Sequence, residues 1–510
     1  MGSAGPAAAT PAPSLDFEAR LERRLKTIGL LAGPVLALFL YAWNPGGHPP
    51  EARRLLAVLG LAIAYWITEA IPLPATALLS SALAIAAGVA PARAVLAPYA
   101  DPVIFLFVGS FLLAEAFHKY GLDLRVASVI LNTRGLGGTS GGLLTGFGAA
   151  SAALSTCLSN TATAALMTPV ALGTLEAREG KDGEGRSRLG SGILLMIAYG
   201  ASIGGMSTII GTPPNLLVVG FLDRLVDVRV TFTDWLLFAV PISLVLLVIS
   251  LGWTRLFLGR RLGESGAPPA EGPTPPGDPD DARAWRNGGR WTVCAFALAG
   301  ALWTLPAVAG AALGRDHPAA DALARHLPEA GVALLAATLL FVAPVDWRRR
   351  RFAIAWAEGQ RVNWGIILLF GGGLSLGTLG ERTGLARWAG EGIVSAGLAS
   401  SPESFLFVVV VAAILVSEFA SNTASATLLV PVVIAAAQAS GIDPVRPALG
   451  AGLAATCGFV FPVSTPPNAI VFGTGRVPLT RMIRVGAFLD LASAFVIWGG
   501  LLLLTPLLPR

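Results

Sequence analysis

Charged residues are scarce in this chain: Asp, Glu, Lys and Arg together make up 13% of its 510 residues. Soluble proteins carry roughly 25% charged residues, and the mean hydropathy here is +0.68. The sequence therefore predicts an integral membrane protein. The net charge of +5 lies mostly in loops, where it indicates membrane topology and gives no reason to expect a nucleic-acid partner.

Cysteine and histidine are also rare, with three and four copies. The cysteines lie in apolar segments without metal-ligand spacing, which argues against a disulfide framework or a metal site. The GxxxxGK[ST] phosphate loop and the HExxH motif do not occur. These absences argue against ATP coupling and against an integral membrane enzyme.

Apolar segments dominate the chain instead, and they carry one polar motif twice. The sequence reads SNTATAALMTPV from Ser159 and SNTASATLLVPV from Ser421, and a TPPN sequence follows each copy, in GTPPN from Gly211 and STPPN from Ser464. A longer similarity joins FVGSFLLAEAFHKYGL to FGGGLSLGTLGERTGL at nearly the same spacing. Matched Pro/Gly breaks in two related halves predict a secondary transporter whose binding site lies at the breaks.

The apolar pattern predicts an all-α polytopic membrane protein with about 11 transmembrane helices and two re-entrant helical hairpins. We expect a cytoplasmic tail at 1–26, a first span at 27–50, a first repeat at 51–258, a cytoplasmic linker at 259–290 and a second repeat at 291–510. The first repeat divides into scaffold spans at 54–133, a hairpin at 139–178, a broken span at 190–222 and a span at 234–258. The second divides into scaffold spans at 291–390, a hairpin at 403–440, a broken span at 446–475 and a last span at 485–508.

Basic residues predict the orientation in a bacterial inner membrane. Arginines and a lysine precede the first span, and further arginines follow in the linker, so both segments are expected in the cytoplasm. An odd number of spans then separates the halves, which gives them opposite orientations as an inverted-topology repeat requires.

A hairpin that ends inside the membrane leaves backbone groups unpaired, and these are tolerated only where they are buried or line a cavity. Ser, Asn and Thr at the tip can satisfy them and can also bind a ligand. The helix start after the tip favours an anion, and carbonyls at the preceding helix end suit a hard cation such as sodium. Pro-Pro in the broken spans frees further carbonyls at Gly211 and Ser464.

Together with WITEAIPLPATALL and DPVIFLFVGSFLLAEAF, these motifs resemble the divalent anion/sodium symporter family (DASS) over roughly residues 50–510. The resemblance implies a homodimer in which each protomer has a scaffold and a transport domain that moves like an elevator. It implies substrate contacts at Asn160, Thr161, Thr212, Pro213, Asn422, Thr423, Thr465 and Pro466. It implies one sodium site at Ser155, Ser159, Asn160 and Gly211, and another at Ser417, Ala420, Asn422 and Ser464.

The expected activity is sodium-coupled symport of a divalent anion, with a C4-dicarboxylate such as succinate, malate or fumarate as the preferred substrate. The expected partners are that anion, co-transported Na⁺ and membrane lipid. A sodium-independent dicarboxylate exchanger and a sodium/sulfate or citrate symporter remain as alternatives. Three carboxylates, Glu69, Glu115 and Glu418, lie in apolar segments and are candidates for function. We expect Glu418 to support the second hairpin, with direct cation binding and a role at the lipid interface as the alternatives. For Glu69 we expect a structural role, and for Glu115 a local ion pair or snorkelling.

Overall fold

The computed structural model describes residues 13–44, 47–136, 139–179, 188–258, 273–274, 276–314, 317–395, 397 and 401–507. The predicted helical fold class is confirmed. The helices of the first half are α1 (Pro13–Trp43), α2 (Pro50–Thr68), α3 (Leu73–Ala86), α4 (Ala92–Leu96), α5 (Pro102–Lys119), α6 (Leu122–Leu131), α7 (Ser140–Ser155), α8 (Asn160–Glu179), α9 (Arg188–Met206), α10 (Pro213–Val226) and α11 (Phe232–Leu258). A 3-10 helix at Ala97–Ala100 leads into α5.

The second half repeats this succession of helices. Its helices are α12 (Pro279–Leu313), α13 (Pro318–His326), α14 (Glu329–Leu339), α15 (Trp356–Gly359), α16 (Trp364–Arg382), α17 (Leu385–Ser395), α18 (Pro402–Phe419), α19 (Asn422–Ala439), α20 (Val445–Ala455), α21 (Pro466–Gly473) and α22 (Leu479–Leu504). A 3-10 helix at Thr505–Leu507 follows. Two short antiparallel strands, β1 (Pro344–Asp346) and β2 (Arg351–Phe352), depart from the all-α prediction, with Pro344 opposite Phe352.

Nine helical stretches in the described residues are long and apolar enough to cross a membrane. They are Arg23–Trp43, Ala92–Lys119, Arg188–Met206, Phe232–Phe257, Pro279–Leu313, Trp364–Arg382, Pro402–Phe419, Asn422–Ala439 and Leu479–Leu504. Two shorter apolar helices, α3 and α14, fall where further spans are predicted. The chain is an integral membrane protein whose helices differ widely in length.

Two helices begin before the spans predicted from the apolar pattern, because polar residues can extend a membrane helix. α12 begins at Pro279, inside the predicted linker at 259–290 and before the span predicted from 291. Asp278 caps this helix by accepting hydrogen bonds from the Asp280 and Asp281 amides, and Pro279 suits the first helical position. α1 likewise begins at Pro13 within the predicted tail. Residues 1–12, 259–272 and 275 of the predicted tail and linker lie outside the described residues.

Helix packing is matched between the two halves. α7 packs against α9 as α18 packs against α20, and α8 packs against α9 as α19 packs against α20. α11 adjoins α9 in the same way that α22 adjoins α20, while α3 contacts α16 as α14 contacts α5. The duplicated sequence therefore gives a duplicated arrangement of helices.

The interrupted helices lie at the centre of the molecule. In the apolar stretch of α9, 94% of the residues are buried inside the protein. Nearly every residue of α20 is also buried. Small residues allow α9 and α7 to approach closely: a Cβ added to Gly204 would lie 2.1 Å from the Ala152 carbonyl oxygen. This packing holds the end of α9 against the first hairpin.

Candidate functional site

Each SNT motif starts a helix at the tip of a hairpin. Ser159 precedes α8 and its Oγ accepts a hydrogen bond from the Ala162 amide at 3.2 Å. Ser421 precedes α19 and accepts from the Ala424 amide at the same distance. The serine therefore caps the helix, and the asparagine that follows becomes its first residue.

The two asparagines make equivalent contacts with the preceding helices. Ser155 Oγ, near the end of α7, donates to Asn160 Oδ1 at 2.8 Å. Ser417 Oγ, near the end of α18, donates to Asn422 Oδ1 at 2.9 Å. Both serines are completely buried. The structure thus brings together the serine and the asparagine of each predicted sodium site.

The first hairpin tip contacts the break between α9 and α10. A Cβ on Gly211 would lie 2.6 Å from the Gly205 carbonyl oxygen and 2.8 Å from that of Ser155. A Cβ on Gly205 would lie 2.1 Å from Asn160 Oδ1. Thr208 Oγ1 also donates to the Thr156 carbonyl at 2.7 Å. Glycine is therefore needed at both positions, because a side chain would prevent the close approach of the hairpin tip to the break. This approach places several uncharged carbonyl and amide oxygens side by side.

The second hairpin tip contacts the break between α20 and α21 in the same way. Ser417 Oγ has the Ala455 carbonyl oxygen at 2.6 Å as a second acceptor, and Asn422 Nδ2 donates to the Thr456 carbonyl at 3.4 Å. One hydroxyl hydrogen satisfies only one of two acceptors. This excess of acceptor oxygens is suited to a hard cation. Ala420, also predicted here, is buried and has only its backbone to contribute.

Glu418 fixes the second break through three hydrogen bonds. Its carboxylate accepts from the Val460 amide at 2.9 Å, from the Phe461 amide at 3.2 Å and from Ser464 Oγ at 2.6 Å. Ser464 is therefore tied to the hairpin through its side chain. The geometry accords with the expected hairpin-supporting role of Glu418.

Asp490 of α22 is a neighbour of this carboxylate that sequence analysis missed. It lies close enough to Glu418 for the two carboxylates to interact, and its Oδ1 accepts from the Phe459 amide at 3.4 Å. Asp490 stands outside both repeated motifs, but it is a carboxylate inside the predicted last span at 485–508, and that was the available signal.

The asparagine of each TPPN motif holds its break together, a role that sequence analysis did not assign. Asn215 Nδ2 donates to the Gly205 carbonyl at 2.9 Å and to the Thr208 carbonyl at 2.7 Å. Asn468 Nδ2 donates to the carbonyls of Gly458 at 2.8 Å and Phe461 at 3.0 Å. Both asparagines are completely buried. The asparagine is present in both copies of the TPPN motif, and this repetition was the sequence signal that could have indicated its role.

The two breaks lie against each other in the centre of the fold. Met206 Sδ and Cys457 Sγ are 4.0 Å apart, and Tyr199 Oη of α9 donates to the Phe459 carbonyl at 3.1 Å. α10 packs against α19 and α20, while α21 packs against α8 and α9. Each hairpin tip therefore adjoins its own break, and the breaks adjoin one another.

The predicted substrate contacts occupy the starts of four helices. Thr212 and Thr465 are buried residues directly before α10 and α21, and Pro213 and Pro466 are the first residues of those helices. Thr161 follows the start of α8 and is exposed, whereas Thr423 follows the start of α19 and is half-buried. The backbone amides of Thr161 and Thr423 belong to first helical turns, where an anion is favoured, whereas Pro213 and Pro466 have no amide hydrogen to donate.

A helical membrane chain with two matched, interrupted polar sites is a secondary transporter by class. The family model for the sodium:sulfate symporter transmembrane region matches residues 24–264 and 294–504. The chain belongs to this family, the divalent anion/sodium symporters, which are transporters and not enzymes.

Two relatives show how far the similarity extends. The sodium-dependent dicarboxylate transporter SdcS of Staphylococcus saprophyticus subsp. saprophyticus is 32% identical over 491 residues, which cover 92% of this chain and 89% of the relative. SdcS of Staphylococcus aureus strain USA300 is 31% identical over 477 residues, with the same coverage.

Two solved structures share the fold at low sequence identity. The Alcanivorax borkumensis YdaH transporter gives a TM-score of 0.57 at 17% identity, over 80% of this chain and 86% of that one. Neisseria gonorrhoeae MtrF, described with a class of antimetabolite efflux pumps, gives 0.53 at 13% identity, over 78% of this chain and 80% of that one. These likenesses concern the fold alone.

Proposed function

We propose that this chain is a sodium-coupled symporter of a divalent anion, with a C4-dicarboxylate such as succinate, malate or fumarate as substrate. The observation that carries the proposal is the hydrogen-bonded Ser–Asn pair at each hairpin tip, with Ser155 and Asn160 in one half and Ser417 and Asn422 in the other; the two serines and Asn160 are buried, and Asn422 is half-buried. Each pair lies beside an interrupted helix. The relatives named sodium-dependent dicarboxylate transporters support the same substrate and the same ion.

Charge balance supports coupling to sodium. The two SNT segments and the two TPPN segments contain no Lys or Arg, so no cationic side chain within them offsets a dianion. The starts of α8, α10, α19 and α21 contribute partial positive charge. Bound Na⁺ supplies the remaining positive charge and links anion affinity to the sodium gradient.

The proposed sodium sites follow the oxygen clusters. The first uses Ser155, Ser159, Asn160 and Gly211, and the second uses Ser417, Ala420, Asn422 and Ser464. Unwound carbonyls and helix ends are the usual sodium ligands in transporters with broken helices. The substrate contacts are Asn160, Thr161, Thr212 and Pro213 in one half, with Asn422, Thr423, Thr465 and Pro466 in the other.

We infer an inverted-topology repeat and an elevator movement from the matched packing of the halves. The transport domain would contain α7–α11 and α18–α22, and the scaffold would contain α2–α6 and α12–α17. The N-terminus is proposed to be cytoplasmic, as the basic residues predict. The proposed assembly is a homodimer, which the family resemblance supports.

Uptake of radiolabelled succinate into proteoliposomes tests the proposal. We expect accumulation under an inward Na⁺ gradient, and little uptake when K⁺ replaces Na⁺ on both sides. Equal uptake in K⁺ removes sodium coupling and leaves a sodium-independent carrier. Competition by unlabelled malate, fumarate, citrate and sulfate then identifies the anion, and stronger inhibition by sulfate than by malate contradicts the dicarboxylate assignment.

Alanine variants test the site. We expect Asn160→Ala and Asn422→Ala each to abolish uptake while the purified protein keeps its size-exclusion profile. Wild-type uptake by both variants contradicts the assignment of the hairpin tips as the binding site, whatever the substrate is.

A further inference from the structure

A small cavity lies where α9 and α22 begin, apart from both hairpin tips. Its volume is about 250 Å³, and its walls are formed by Arg188, Phe257, Pro478, Thr480, Arg481 and Arg484. Among these described lining residues, every ionisable side chain is an arginine.

The arginines come from separate parts of the chain. Arg188 is the first residue of α9, whereas Arg481 and Arg484 lie in the first two turns of α22. Arg481 donates to Ser191 Oγ, and Ser191 in turn donates to the Arg476 carbonyl at 2.8 Å. These bonds orient Arg481. Arg188 is near enough to Arg481 for their charges to repel, so an anion between them is favoured.

Two helix N-termini add positive potential at the same place. α9 has 19 residues and α22 has 26. In the described chain, no side chain caps the start of α22 at Pro478. Amides in the first turn of a helix, combined with guanidinium groups, are the usual donors to phosphate oxygens.

An apolar surface continues from the cavity along α11 and α22. Phe257 forms one wall, and Trp253 stacks on Phe488 with ring centroids 3.9 Å apart. Leu256 and Leu491 are 71% and 59% exposed. Both helices are membrane-span candidates, so the cavity lies where a span meets the membrane surface. A positively charged cavity next to an apolar surface suits a phospholipid, which has an anionic phosphate at one end and apolar acyl chains at the other.

We propose that this cavity is a binding site for a phosphate group, supplied by the headgroup of an anionic phospholipid. The three arginines and the start of α22 bind the phosphate oxygens, and the acyl chains lie along α11 and α22. The site is independent of the transport chemistry at the hairpin tips.

The test uses the delipidated full-length protein in detergent and native mass spectrometry. Phosphatidylglycerol, phosphatidylcholine and inorganic phosphate are titrated separately, and phosphate is also added as a competitor of the lipid. The test variant carries Arg188→Gln, Arg481→Gln and Arg484→Gln. The matched control carries Arg283→Gln, Arg286→Gln and Arg290→Gln, which remove the same charge from exposed positions of α12.

We expect phosphatidylglycerol to bind the parent more tightly than phosphatidylcholine. The test variant should weaken that binding by roughly tenfold or more, and the control by less than about threefold. Lipid binding that millimolar phosphate does not displace supports the phospholipid source. Phosphate binding that disappears only in the test variant supports the same site with a soluble source.

Equal lipid and phosphate binding by parent and test variant overturns the proposal. An equal loss in both triple variants also overturns it, because the effect then reflects surface charge in general. If the test variant does not purify as a folded protein, Arg484→Gln alone replaces it, since this side chain is exposed. Unchanged phosphatidylglycerol binding in that variant contradicts the site.

Discussion

Replacing Gly205 by alanine tests the first proposed cation site with a single methyl group. The added Cβ would lie 2.1 Å from Asn160 Oδ1 and 3.1 Å from Asn160 Cγ. Non-bonded heavy atoms attract at roughly 3.5 Å, so Asn160 has to move away from Ser155. The change acts on the site without removing any of its oxygen ligands.

The size of the expected loss in sodium affinity follows from the free-energy cost of overpacking. An extra methyl group in a packed interior costs about 1–3 kcal/mol, equivalent to a loss of roughly 5- to 150-fold in sodium affinity if the strain is relieved by moving Asn160. Alanine is otherwise favoured over glycine inside a helix by about 1 kcal/mol. Because Gly205 lies within α9, a loss of affinity cannot come from helix propensity.

The matched control is Gly458→Ala in the second half. There the nearest atom to an added Cβ is Ser464 Cβ at 3.2 Å, followed by the Ser417 carbonyl oxygen at 3.3 Å, so small adjustments suffice. The assay is the sodium dependence of succinate uptake in proteoliposomes, with melting temperature as the folding check. Parental sodium dependence in Gly205→Ala, or equal impairment of both variants, refutes the reasoning.

Three further predictions concern the neighbouring contacts. We expect Asn215→Ala and Asn468→Ala each to lose about 1–3 kcal/mol of stability, measured as a lower melting temperature, because the break carbonyls lose their buried donor. Glu418→Gln should reduce sodium-driven uptake far more than Glu403→Gln, since Glu403 is exposed on the same helix; similar uptake by both contradicts a positioning role. Arg224 Nη1 of α10 lies 3.5 Å from Oδ2 of Asp101, the residue that caps the start of α5, across the proposed domain boundary. Arg224→Gln should therefore alter maximal uptake rate while half-saturating sodium changes by less than about threefold.

Much of the fold could be predicted because the membrane restricts the possible structures. Apolar length and the duplicated motifs were sufficient to predict the hairpins, whose helices meet at Ser159 and Ser421 as expected. Helix ends were less predictable. A hydropathy pattern treats the Asp-rich start of α12 as a loop, although Asp278 and Pro279 make it a stable helix start.

The candidate site was predictable only where it repeats. Asn160 and Asn422 stand in the duplicated motif, and the structure places each against a serine five residues earlier. The proximity of Asp490 to Glu418 could not be predicted, because it arises from the packing of α22 on α18 and α20. Long-range packing of this kind leaves no local pattern in the sequence.

Each half contains an equivalent Ser–Asn pair, and the two halves stabilise their pairs by different means. In the first half, Gly205 and Gly211 keep carbonyl oxygens close to the hairpin tip, where a side chain would collide with them. In the second half, Ser464 stands at the position of Gly211, and Glu418 holds the break through hydrogen bonds. The first site is therefore sensitive to added volume, and the second is sensitive to the loss of a polar group. Since the halves differ in this way, two sodium ions bound at the two proposed sites would not be equivalent, and variants of Gly205 and Glu418 should affect separate steps of sodium activation.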